Sequence, residues 1–154
     1  MGTILAIDPG NDTGVAIFKA LKLIQAGMVT FTDYMGYSKQ LFTLIKKVRP
    51  SIIVVEKPQI YQPRFWKGDP NDVLSVAIKV GIVIAVASHE SCRVEEVLPH
   101  KWKGTRPKTV DNAHTLSLLS EEETRVLNRV ILSKSKLHNV IDAIGIGLWY
   151  LKRS

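Results

Sequence analysis

Residues 51–55 read Ser-Ile-Ile-Val-Val, an unbroken apolar and branched run. A strand with one face in water alternates; a continuous run like this predicts a strand buried on both faces, as in a sheet covered by helices. Other strands follow from the same logic. Thr3 to Ile7 is a short branched run halted by Asp8-Pro9-Gly10, and Gly14 to Phe18 is a second. The turn formers between them predict a hairpin. A third strand falls within Leu23 to Phe31, and Arg93 to Leu98 alternates until Pro99.

Helical periodicity fills the gaps. Leu41, Leu44, Ile45 and Val48 share a helical face within Ser38 to Val48, and Arg49-Pro50 ends that helix. Glu56 to Asp69 reads as a loop, after which Asn71 or Asp72 caps a long helix to about Ser88. This helix is apolar on two sides, with Val73, Val76, Ala77, Val80, Ile84 and Ala87 on one and Leu74, Ile78, Ile82 and Ala85 on the other. Two apolar faces require two partners. The sheet can cover one; a second copy of the chain approaching closely at Gly81, or another part of this chain, covers the other, and a helix is preferred over a strand at Val80 to Ala87 because the segment has no break. Pro107 opens a further helix. Ser120 with Glu123 forms a capping box for the next. A last helix runs from about Asn139 to Tyr150. The order is β-β-β-α-β-α-β-α, an α/β chain with a mixed sheet.

The 154 residues suit a single domain spanning 1–154, and 45% hydrophobic against 23% charged residues describes a globular chain. The longest apolar run, Val80 to Ala87, is flanked by Lys79, Ser88 and His89, and neither a membrane span nor a signal peptide is expected. A cytoplasmic protein follows, in a host's cytoplasm if the origin is viral. The single cysteine, Cys92, excludes an internal disulfide and a cysteine-cluster metal site. The formal net charge of +7 favours polyanionic partners.

Three acids stand out by context. Asp8 follows Ile4-Leu5-Ala6-Ile7, Glu56 follows Ile52-Ile53-Val54-Val55, and Asp142 interrupts Val140 to Ile144. Burial is expected at each, and a buried carboxylate needs compensation. Each has a structural explanation: Asp8 as turn former, Glu56 paired with a neighbouring lysine, Asp142 capping a helix start. Taken together, at element ends, they suggest one shared site. Carboxylates without cysteines suit hard cations such as Mg²⁺ or Mn²⁺. Two such ions serve phosphodiester cleavage without a nucleophilic side chain.

The segment Ile4 to Gly14, with its Asp8-Pro9-Gly10 turn, resembles the opening strand and turn of RuvC-type Holliday junction resolvases. Ile53-Val54-Val55-Glu56-Lys57-Pro58 resembles their second acidic motif, Val73 to Ala87 with Gly81 their long helix, and Asp142-Ala143-Ile144-Gly145-Ile146-Gly147 their final motif. The resemblance spans nearly the whole chain in order and spacing. It implies an RNase H-like fold with a five-stranded mixed sheet flanked by helices. It further implies a homodimer through the helix 72–88, two metal ions per site, and paired nicks in a four-way DNA junction. Asp8, Glu56 and Asp142 would be metal ligands. The family usually carries an acid or histidine three residues before the last aspartate; here Asn139 stands there, and His138 one residue earlier. Both fall on nearly the same helix face as Asp142. His138 is preferred as the additional ligand or proton shuttle, because Asn139 offers only a weaker carbonyl oxygen.

The resemblance also places an aromatic wedge in the loop after Glu56, for which Tyr61, Phe65 and Trp66 are candidates, beside Arg64 and Lys67. Lys101, Lys103, Arg106 and Lys108 follow the fifth strand within eight residues and without an acid among them, suited to phosphates. His114 is a weaker candidate, and Trp102 is expected to pack inward. Three other readings compete. They are an RNase H-fold nuclease acting on RNA or other branched DNA, a sugar-kinase or actin-like ATPase, and a non-catalytic nucleic-acid-binding relative. The ATPase reading suffers from length, since those proteins need two such domains.

Overall fold

A computed structural model describes residues 2–60 and 68–153. Five strands, β1 (Ile4–Asp8), β2 (Thr13–Lys19), β3 (Lys22–Val29), β4 (Ile52–Glu56) and β5 (Arg93–Val97), form one sheet in the order β3-β2-β1-β4-β5. The first three pair antiparallel, and β1–β4 and β4–β5 pair parallel. The sheet is mixed, as the sequence pattern required. Central β1 and β4 are fully buried along their apolar residues, which explains their unbroken hydrophobicity.

Among the described residues six helices flank the sheet: α1 (Tyr34–Val48), α2 (Pro70–His89), α3 (Pro99–Trp102), α4 (Lys108–Ser117), α5 (Glu121–Asn128) and α6 (Lys134–Tyr150). Strand pleating divides the core in two. Leu5, Ile7, Ile53 and Val55 face α1 and α2, meeting Tyr37, Leu41, Val80 and Val83. Ile4, Ala6, Ile52 and Val54 face α6, meeting Val140, Ile144 and Leu148.

Several boundaries differ from the sequence reading. Helix α1 begins four residues before Ser38, capped by Asp33, whose side chain accepts from the Gly36 amide at 2.7 Å. Helix α2 is capped by Asp69 rather than Asn71 or Asp72. The Asp69 carboxylate accepts from the Asn71 amide, and Pro70 sits in the first turn, where its missing N–H costs nothing. Helix α3 occupies the start of the expected basic loop. Helix α6 begins at Lys134, five residues before Asn139. This places Asp142 in the helix interior and removes its reading as a cap. The Ser120–Glu123 capping box is present as expected.

Helix α2 departs furthest from expectation. At 20 residues and mean hydropathy 1.7, it is long and apolar enough to cross a membrane by length and composition, contrary to the sequence reading. The fold accounts for its apolarity in part, since Val80, Val83, Val86 and Ala87 enter the core under the sheet. The sides are also redistributed. Ile82 packs against the core, whereas Ala77 and Ile84 join Leu74, Ile78, Gly81 and Ala85 on an exposed stripe.

Candidate active site

Asp8 ends β1 and Glu56 ends β4. These strands pair parallel with Ile7 beside Val55, so one further step sets Asp8 beside Glu56. Both side chains continue the row of Ile4, Ala6, Ile52 and Val54 and emerge on the face crossed by α6. Helix α6 carries Asp142 to the same end of the sheet. The site thus lies at the carboxyl ends of two central parallel strands, where open α/β sheets place their ligand sites.

Close packing at Gly14 makes this approach possible. Gly14 lies opposite Asp8 in the hairpin, and a Cβ there would overlap the Asn139 backbone carbonyl. Helix α6 therefore rests its backbone directly on β2 at the level of Asp8. Asn139 is buried as a result. Its Oδ1 and the Asp8 Oδ1 both lie 3.9 Å from where a Cβ on Gly10 would stand. His138 remains half-buried, placed so that a charge on its ring would favour the ionised form of Asp142. Of the two residues singled out by sequence, Asn139 faces the turn that carries Asp8, and His138 acts on Asp142.

The electrostatics describe one coupled group. Burial holds the Asp8 carboxyl well above the usual range, and the charges of Glu56 and Asp142 push it further, against the pull of Lys103 and Lys108. Burial also raises Glu56, opposed by Lys103 and the Trp102 hydrogen bond, and Asp142, opposed by Lys108 and Lys103. Lys103 Nζ stands 3.7 Å from Glu56 Oε2, and Lys108 Nζ 3.7 Å from Asp142 Oδ2. These distances exceed a charge-assisted hydrogen bond, so the lysines are loosely held counter-ions. Among the described residues, no three His, Cys, Asp or Glu side chains form a ready-made metal cluster. The chemistry of the donors nonetheless fits a hard divalent cation: carboxylate oxygens under mutual repulsion, an amide oxygen beside them, and movable cations as placeholders.

The other candidates divide. A cleft of about 100 Å³ is framed by Lys103, Arg106, Lys108, Asp111 and Asp142. Arg106 is committed within it: its Nε donates to buried Asp111 at 3.0 Å and its Nη2 to the Trp102 carbonyl at 3.4 Å. Lys101 is exposed and His114 half-buried. Tyr61, Arg64, Phe65, Trp66 and Lys67 lie outside the described residues. A roomier cleft of about 960 Å³, lined by Ile4, Ile52, Arg93 and Trp149, lies at the opposite end of the strands, away from Asp8, Glu56 and Asp142.

Sequence reasoning missed one cation. Lys79 on α2 is 3% exposed. Its Nζ donates to the Gly10 carbonyl at 2.9 Å, reaches the Asn11 carbonyl at 3.5 Å, and lies 4.9 Å from the Phe31 ring centroid. It fastens the turn after Asp8 from the α2 side. A lone lysine amid apolar residues was the available signal, since a buried ammonium requires acceptors.

Neither a family model nor a curated protein matches the sequence. Solved structures do. The chain is similar to Thermus thermophilus RuvC in complex with a Holliday junction substrate, with 17% identity, a TM-score of 0.67, and 98% of this chain and 94% of that one covered. It is similar to Fowlpox virus resolvase in complex with substrate junction DNA, at 16% identity and TM-score 0.62, covering 97% of each chain. It is also similar to the yeast mitochondrial Holliday junction resolvase, at 15% and 0.52, covering 97% and 81%. The class is therefore an RNase H-like α/β fold, a five-stranded mixed sheet flanked by helices. Within that class, the fold is that of the RuvC-type Holliday junction resolvases.

Proposed function

We propose that this protein is a divalent-metal-dependent endonuclease that resolves four-way DNA junctions. The observation that carries the reading is the convergence of Asp8, Glu56 and Asp142 at one end of a resolvase-type sheet, buried and electrostatically coupled. These carboxylates would hold Mg²⁺ or Mn²⁺, two ions per site by the resemblance, with Asn139 offering a carbonyl oxygen and His138 standing beside Asp142. When bound, such ions activate a water and stabilise the leaving oxygen of a phosphodiester.

The remaining work falls to the chain. Lys103 and Lys108, each 3.7 Å from a site carboxylate, would offer their ammonium groups to the scissile phosphate and its neighbour. Lys101 extends this cationic track, and Arg106 braces it through Asp111. Tyr61, Phe65 and Trp66 supply the base-stacking wedge, with Arg64 and Lys67 on the flanking phosphates. Lys79 keeps Asp8 aimed inward by holding the Gly10 carbonyl.

Paired cuts call for paired sites. Leu74 is 61% exposed, Ile78 46% and Ile84 39%, with nothing within 4 Å of a Cβ on Gly81. Leu74, Ile78, Gly81 and Ile84 recur at three- and four-residue spacing, one stripe along α2. A second copy buries this stripe in a homodimer.

The deciding experiment is cleavage of a synthetic four-way junction beside linear duplex, branched DNA and RNA–DNA hybrid, with Mg²⁺, Mn²⁺ or chelator. Paired, metal-dependent nicks confined to the junction are expected. Asp8→Asn is expected to lose on the order of 10³-fold in cleavage, the scale of removing a group that stabilises the transition state, while still binding the junction. Equal cutting of all substrates would replace junction resolution with a general nuclease activity. Unchanged cleavage by Asp8→Asn would remove the carboxylate site from the chemistry.

A further inference from the structure

Trp102 ends the four-residue helix α3 and is 4% exposed. Its Nε1–H donates to Glu56 Oε2 at 2.6 Å. The benzene edge of the same indole lies against α6 at Gly145, where a Cβ would stand 2.7 Å from Cζ3 and 3.2 Å from Cε3. Gly145 follows Asp142 by three residues, on the same side of the helix one turn along. One rigid bicyclic ring therefore reaches from the Glu56 carboxylate on β4 to the backbone that carries Asp142.

From this geometry we infer that Trp102 is a positioning residue that sets the spacing of Glu56 from Asp142 and dedicates one oxygen of Glu56 to a divalent cation. The inference rests on the metal-centre reading above. An indole N–H only donates, so it fixes an acceptor oxygen and cannot compete for the cation. With Oε2 held by Trp102 and approached by Lys103 at 3.7 Å, Oε1 carries no hydrogen bond or ion pair among the described residues. Lys103 Nζ also lies 5.1 Å from the Trp102 ring centroid, so the ring positions the counter-ion as well as the carboxylate. Gly145 is the other half of the device: a methyl there drives the ring toward Glu56. Sequence reading placed Trp102 inward but found no reason for its chemistry, because Glu56 is 46 residues away.

The test uses the full chain with Mn²⁺ alone as probe, measured by calorimetry on wild type, Trp102→Phe, Gly145→Ala and Asp142→Asn, with junction cleavage beside it. Phenylalanine keeps most of the ring and deletes the donor. Trp102→Phe is expected to weaken Mn²⁺ binding about 10- to 100-fold, as removal of outer hydrogen-bond partners does at metal sites. It should lower kcat, leave the KM for junction DNA unchanged, and recover partly in excess Mn²⁺. Gly145→Ala should do the same. An independent signature is the Trp102 indole proton resonance, assigned by elimination against Trp66→Phe and Trp149→Phe, which should move in Glu56→Gln. An unmoved indole resonance in Glu56→Gln overturns the inference, even if Trp102→Phe fails to fold. Wild-type Mn²⁺ affinity in Trp102→Phe, with binding lost in Asp142→Asn, overturns it while leaving the metal centre intact. Absence of saturable Mn²⁺ binding by wild type overturns the metal centre and this role with it.

Discussion

Replacing Arg153 with methionine removes the clamp that secures the end of α6. The Arg153 Nη1 and Nη2 donate to the two oxygens of Glu123 at 2.6 and 2.8 Å, and also to the Leu21 and Leu118 carbonyls at 2.9 Å each. Glu123 is 1% exposed and also accepts from the Leu23 and Ser120 amides. The Arg153 hydrogen bonds are the chief reason that the Glu123 carboxyl is pulled down from 4.5 to about 2. At 1.36 kcal/mol per tenfold change in proton affinity, that fall corresponds to about 3 kcal/mol, of which Arg153 supplies the largest share and the Leu23 and Ser120 amides the rest. The figure agrees with the roughly 3–5 kcal/mol expected when one partner of a buried ion pair is removed. For a chain of this size, about 3 kcal/mol lowers Tm by roughly 6–12 °C. Because the folded-state pKa of Glu123 lies below its unfolded value, the stabilisation is fully present above about 4.5. It is lost as pH falls toward about 2. Urea unfolding of wild type and Arg153→Met from pH 7 to pH 2.5 should show the difference shrinking across that window. A loss under about 1 kcal/mol at pH 7, or one independent of pH, would refute the assignment of this stability to the pair.

Other expectations concern the site and its surroundings. Asp8 is raised in the folded state, so its ionised form opposes folding at neutral pH; Asp8→Asn should melt higher than wild type at pH 7, with the gap closing as pH falls from the raised folded value toward the ordinary aspartate range and gone below it. Gly14→Ala sets a methyl into the Asn139 carbonyl, and chemical denaturation should show a loss of roughly 1–3 kcal/mol. Ile78→Arg places a charge in the exposed stripe of α2, and sedimentation should find a monomer that folds normally yet no longer makes paired cuts.

Much of the sheet was legible because β1, β2 and β4 are buried runs, and burial on both faces writes itself as uninterrupted apolar sequence. The helix starts were not. Lys134-Ser135-Lys136 and Tyr34-Met35-Gly36 are largely exposed first turns, so they carry no periodicity, and only the buried remainder of α6 and α1 announced itself. The carboxylates could be found because each stands at or within a core element. The partners of Lys79 and Trp102 could not be found, since the Gly10 carbonyl and Glu56 lie 69 and 46 residues away. Arg106 illustrates the converse error of composition: a basic cluster suggests phosphates, yet this guanidinium has a buried aspartate five residues ahead.

Ile78 and Lys79 are adjacent in sequence and separated by about 100° around α2. The first is open to solvent at 46%, and the second is sealed against the turn after Asp8. The stripe thus shares one continuous helix with the lysine that fastens the turn after Asp8. Whatever settles on the outer surface of α2 is linked through Lys79 and the Gly10 carbonyl to the turn after Asp8, so the distance between two paired cutting centres would be dictated by side-chain interdigitation rather than by a tether.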